Sequence, residues 1–174
     1  MKNSKSIKKI AMCAMLIALS SVIGILCKNL FTMGLYYRIT FENLPIIFAS
    51  VTLGPIYGVI VGFASDILSC LCSTNPAVNP FITLGAMCVG LVSGLIAKRI
   101  NKGLLKKISF SAIGGHLVGQ VLIKQIAKMY YFGMPWWGFF IGLAVSVFVC
   151  VFEIIIINIL LKNKTVKNYM EKLK

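Results

Sequence analysis

Apolar runs return along the whole chain, covering about residues 10–27, 44–72, 77–97, 108–129 and 136–161. A cleavable leader would explain only the first of them. Water cannot solvate so much exposed hydrocarbon, so a lipid bilayer is the solvent such a chain needs. Composition agrees: 59% of the 174 residues are hydrophobic and 13% are charged, against about 25% charged in soluble domains. The reading is an all-α integral membrane protein, one compact domain over residues 1–174.

Lys2, Lys5, Lys8 and Lys9 before the first run imitate the start of a signal peptide. No A-x-A cleavage site follows, and Leu26 before Cys27 does not suit a lipidated cysteine, so the run is expected to stay as a span. The run at 44–72 is either one long helix or two short ones divided at "LGPIYG", where Gly54 supplies a turn and Pro55 suits a first helical position. Charge decides. With the N-terminus inside, two helices place the clusters Lys98, Arg99, Lys102, Lys106, Lys107 and Lys162, Lys164, Lys167, Lys172, Lys174 beside the N-terminal lysines. Fourteen of the eighteen basic residues are then cytoplasmic, as the positive-inside rule asks. One helix would put the cluster at 98–107 outside.

The expectation is therefore a bundle of six transmembrane helices, at about 10–27, 41–53, 55–72, 78–97, 108–129 and 136–161, with both termini cytoplasmic. The second helix would span only about 20 Å against a core of about 30 Å, so its neighbours must shield it. Close packing is encoded in four G-x-x-x-G pairs, Gly58/Gly62, Gly90/Gly94, Gly115/Gly119 and Gly138/Gly142, read as internal contacts rather than dimer faces.

Several functions are excluded. The net charge of +14 sits between and beyond the apolar runs, which is membrane orientation rather than a nucleic-acid surface. The six cysteines lie in apolar stretches without metal-ligand spacing and read as small buried hydrophobes, so neither metal nor cofactor is expected. A phosphate loop, an H-E-x-x-H site and a serine, histidine and acid set are all missing, which argues against an enzyme.

What remains is polar chemistry at the outer level. "YYRITFENLPI" carries Arg38 and Glu42, and "STNPAVNPF" carries Asn75 and Asn79. "GMPWWG" carries Trp136 and Trp137, and in the fifth span His116, Gln120, Lys124 and Lys128 recur every four residues as one polar stripe. Facing lipid, a lysine at the centre of such a stripe would cost roughly 2.5–3.5 kcal/mol, so the stripe should face the interior or a wet cavity. Together these residues form a candidate ligand site: cations for carboxylates, amides and Glu42 for the edge of a heterocycle, aromatic rings for stacking. Each has a plainer role as well: interface belt for the tryptophans, turn initiation for the asparagines, an Arg38–Glu42 pair, helix packing for His116 and snorkelling to the surface for Lys128. Asp66 is open between a proton or cation site, a ligand acceptor and a bond to a neighbouring helix. Glu153 is placed near the cytoplasmic end, within reach of a basic loop residue.

Three stretches carry a resemblance: "KKIAMCAMLIALSSVIG", "YYRITFENLPIIFASVTLGPIYGVIVGFASDIL" and "NPAVNPFITLGAMCVGLVSGLI". With them the chain resembles, over essentially its whole length, the substrate-binding S components of energy-coupling factor (ECF) vitamin transporters, and within them the folate-specific branch. The resemblance implies a six-helix protein of the bacterial cell membrane that captures its vitamin from outside and delivers it to a membrane coupling subunit and two ATPases. It implies that Ala14 and Ala18, matching the family's A-x-x-x-A motif, contact the coupling subunit. Arg38 and Lys124 would then meet the glutamate tail of folate, with Asn75, Asn79 and the aromatic residues on the ring or linker. The rival readings are an S component for pantothenate, riboflavin or a thiamin precursor, a stand-alone proton-coupled transporter using Asp66 and Glu153, and a structural membrane scaffold.

Overall fold

The computed structural model describes residues 2–30, 32–33, 37–73, 78–100, 103–166 and 168. Helix α1 (Lys2–Leu30) is followed by a two-stranded antiparallel ribbon of β1 (Thr32–Met33) and β2 (Tyr37–Arg38), with Thr32 opposite Arg38 and Met33 opposite Tyr37. Then come α2 (Asn43–Thr52), α3 (Pro55–Leu71) and α4 (Pro80–Arg99). An unbroken rod follows, made of α5 (Leu104–Gly115), a π-helical stretch (His116–Lys124) and α6 (Gln125–Phe132), and α7 (Trp136–Lys162) closes the order. Among the described residues α1 from Ser6, α4 and α7 are long and apolar enough to cross a membrane, while α2 and α3 are shorter apolar helices.

The break between α2 and α3 has a local cause. Gly54 sits at φ 115°, a conformation closed to most side chains, and Pro55 occupies the first turn of α3. Helix α2, about 15 Å long at 1.5 Å per residue, is wrapped by α1, α3, α4, α5 and α7. Every residue from Asn43 to Ser50 is buried. Its hydroxyls are satisfied within the helix, Ser50 donating to the Ile46 carbonyl at 2.7 Å and Thr52 to Phe48 at 2.6 Å. Ile46, Ile47 and Ala49 of α2 meet Val61, Val89 and Ile108 of the surrounding helices to form the core. The outer surface is apolar too, with Leu95, Phe110, Phe140 and Ile159 exposed as lipid-facing residues must be.

Glycine sets the helix spacing. A methyl on Gly90 would meet the carbonyl of Gly58, one on Gly62 the backbone of Ala86, and one on Gly94 the ring of Pro55, so α3 and α4 touch backbone to backbone. Gly115 and Gly119 lie in the same way against Ser93, Val89 and Gly85 of α4. These pairs are internal contacts of the bundle.

The ribbon was not foreseen, because strands of two residues carry no alternating pattern. Lys28 lies in the last turn of α1, where its ammonium donates to Ser69 Oγ at 2.8 Å and Cys70 Sγ at 3.2 Å.

Candidate functional site

Glu42 lies in the turn before α2. Its backbone is held from both sides, its carbonyl accepting from Ser20 Oγ at 2.7 Å and its N–H donating to Thr40 Oγ1 at 3.3 Å. Although Glu42 stands at the N-cap of α2, its side chain does not cap the helix. The carboxylate turns into the bundle instead, where Oε1 accepts from Lys124 Nζ at 3.1 Å. Both side chains are buried. Small residues make the space: a methyl on Gly24 would meet Glu42 Oε2, and one on Gly85 would meet the Lys124 stem.

The π-helical stretch carries the polar stripe inward. His116 and Lys124 are buried and Gln120 and Lys128 half-buried, while Leu117 and Leu122 of the same rod are exposed. Asn43 Nδ2 donates to Gln120 Oε1 at 3.5 Å. His116 bridges to α7, with Nε2 2.6 Å from Glu153 Oε2 and Nδ1 3.3 Å from Ser146 Oγ. A narrow cleft is lined here by Thr40, His116, Gln120, Gln125, Lys128 and Ser146, with Val145 and Val149 as its apolar wall. Gln125 is 4% exposed, and its Oε1 is buried with no hydrogen-bond partner among the described residues. Gly142 of α7 leaves the room that the Gln125 amide fills.

The candidate residues do not all converge. Glu42, His116, Gln120 and Lys124 share this interior. Asn79 caps α4, its side chain accepting from the Phe81 N–H at 3.0 Å. Trp136 and Trp137 are 72% and 51% exposed at the start of α7, away from the buried polar groups. Asn75 and the side chain of Arg38 lie outside the described residues. The Arg38–Glu42 spacing loses its helical meaning, because Arg38 is in β2 and α2 begins only at Asn43. Ala14 and Ala18 are exposed on α1. Asp66 is bonded to the neighbouring helix, accepting from Thr83 Oγ1 at 2.7 Å. Glu153 pairs with His116 inside the bundle rather than with a basic loop residue.

Sequence reasoning missed Thr40, Asn43, Gln125 and Ser146. It also found no set of serine, histidine and acid, whereas the fold assembles one from residues 30 and 37 positions apart. For Gln125 the reason is the helix type. A π turn closes i→i+5 rather than i→i+4, which brings Gln125 onto the face of Gln120, outside the four-residue spacing.

Residues 4–167 match the family described as "ECF-type riboflavin transporter, S component". The chain belongs to this family. It is thus the S component of an ECF transporter for vitamin uptake, a multi-pass component of the bacterial membrane that binds a substrate and is not an enzyme. S components associate with an ECF module, the coupling machinery of the transporter. The chain is similar to the riboflavin transporter RibU of Staphylococcus aureus (strain TCH60), 26% identical over 144 residues, which are 82% of this chain and 74% of that protein. It also shares the fold of a solved structure described as "Structure and mechanism of the S component of a bacterial ECF transporter". The TM-score is 0.69 over 95% of this chain and 98% of that one, at 22% identity. The named relatives are riboflavin transporters, so the folate-specific branch gains no support from them.

Proposed function

We propose that this S component captures riboflavin from outside the cell. In this reading six spans with cytoplasmic termini hold the cleft toward the exterior, and the Ala14 and Ala18 face of α1 docks on the coupling subunit that two ATPases drive. The observation that carries the choice of vitamin is the chemistry of the cleft. Its lining is amides, hydroxyls and an imidazole with the single ammonium of Lys128, Lys124 is paired with Glu42, and Gln125 Oε1 has room for a donor. Riboflavin is uncharged, with an N–H on its ring edge and hydroxyls along its chain to supply donors. The two carboxylates of folate would instead compete with Glu42 for Lys124, breaking a buried ion pair at a cost of several kcal/mol.

Folate is the second reading, favoured by the "YYRITFENLPI" stretch and by Lys128 on the cleft wall. Titration calorimetry on the purified protein with a vitamin panel separates the two. Tight riboflavin binding without folate binding is expected. Tight folate binding that weakens in Arg38→Ala and Lys124→Ala would replace riboflavin by folate, and uptake that survives without any ATPase partner but collapses with the proton gradient would sink both.

A further inference from the structure

His116 is the chain's only histidine, and both of its ring nitrogens are engaged in the interior. Its partner Glu153 is fully buried, and the second carboxyl oxygen, Oε1, has no hydrogen-bond partner. Glu42 and Lys124 both act on Glu153 electrostatically, yet they are paired with each other and offset one another. The nearest source of charge balance for Glu153 is then His116 itself, at 2.6 Å, with Lys128 of the cleft lining twelve residues along the rod from His116.

With one proton the dyad carries a net negative charge inside a bilayer protein, at a penalty of several kcal/mol. With two it is neutral. One of those two protons lies in the 2.6 Å contact between Glu153 Oε2 and Nε2, whichever atom holds it. The other then belongs on Nδ1, the remaining ring nitrogen. A proton on Nδ1 would be donated to Ser146 Oγ, 3.3 Å away.

This fixes the direction of the Ser146 hydroxyl. Three other buried serines turn theirs back along the helix, Ser50 to the Ile46 carbonyl, Ser65 to Gly62 and Ser69 to Asp66. Ser146 makes no such bond; His116 is its partner, and it lines the cleft. We infer that the Glu153–His116 dyad is a positioning device that makes Ser146 a hydrogen-bond donor to the ligand, beside the acceptor Gln125 Oε1. Gln125 packs on Gly142, one helical turn before Ser146 and so about 5–6 Å along the same face. A donor and an acceptor on one face suit the edge of a flat heterocycle that offers both a carbonyl and an N–H. For its ligand this inference rests on the vitamin reading; for its protons it does not.

Because there is one histidine, ¹⁵N-labelled histidine in nanodisc-embedded protein gives a single pair of ring signals. At neutral pH without ligand, Nδ1 is expected to carry a proton. Ser146→Ala is expected to weaken riboflavin binding about tenfold, and Ser146→Thr, which keeps the hydroxyl, to restore it. An unprotonated Nδ1, or riboflavin affinity unchanged in Ser146→Ala, overturns the inference. The nitrogen signals need no vitamin, so failure of the parent protein to bind riboflavin would remove the flavin reading while leaving the proton arrangement to be decided by the spectrum.

Discussion

Glu42 and Lys124 are worth more as a pair than the sum of their parts. Joined at 3.1 Å and buried together, they are tolerated in the bundle, but removing one breaks a buried ion pair. Lys124→Met should therefore destabilise the protein by roughly 3–5 kcal/mol, whereas Glu42→Gln combined with Lys124→Met should recover most of the loss. Thermal unfolding in detergent reads this directly, and strictly additive losses would mean that the two charges are not coupled. Gly142 tests the cleft more gently. The three atoms nearest to a methyl there all belong to the amide end of Gln125, a flexible group that can yield. Gly142→Ala should thus leave the unfolding temperature nearly unchanged while weakening vitamin binding about tenfold, measured by calorimetry. His116, Gln120 and Lys124 were legible beforehand, because four-residue spacing survives on the rod. Ser146 was not, since a lone serine in the 27-residue apolar α7 acquires meaning only from the histidine opposite.

Between elements, backbone proximity replaces side-chain interdigitation. Helices α3 and α4 meet where Gly58 and Gly90 each accept the other's carbonyl, the arrangement available to helices that gain nothing from hiding apolar surface from lipid. Neither carbonyl can swing aside as the Gln125 amide can. Gly90→Ala should then force the helices apart and lower stability by about 1–3 kcal/mol, visible as a clear drop in unfolding temperature, in contrast to Gly142→Ala. The glycine spacing made this contact readable from sequence, as Gly54 followed by Pro55 did for the break before α3. The π-helical stretch was not readable. Its residues His116–Lys124 have ordinary helical composition, and the widened turn is settled by bonds from Glu42, Asn43, Ser146 and Glu153, all distant in the chain.

At the scale of the whole molecule, orientation follows from charge that the bundle cannot bury. Lys98 and Arg99 close α4, and Lys106 opens α5, all exposed at one turn between helices. Lys162 and Lys164 are exposed at the end of α7, and Lys8 begins the lipid-facing part of α1. In the proposed topology an even number of crossings brings all three groups to the inner leaflet, where lysine and arginine accumulate. The proposal then places the polar interior of Glu42, Lys124 and Gln125 toward the exterior. The exposed small residues Ala14 and Ala18 leave a flat strip along α1 that a second membrane helix can approach closely. Ala18→Leu should leave calorimetric vitamin binding intact and abolish co-purification with the coupling subunit; retained co-purification would move that interface elsewhere. An epitope tag inserted at residue 102 is the sterner measurement, since one crossing more or fewer reverses its side. It should react with antibody only after the cells are permeabilised. Labelling of intact cells would place the basic turn outside, turn the cleft toward the cytoplasm and remove the capture of an external vitamin at this site.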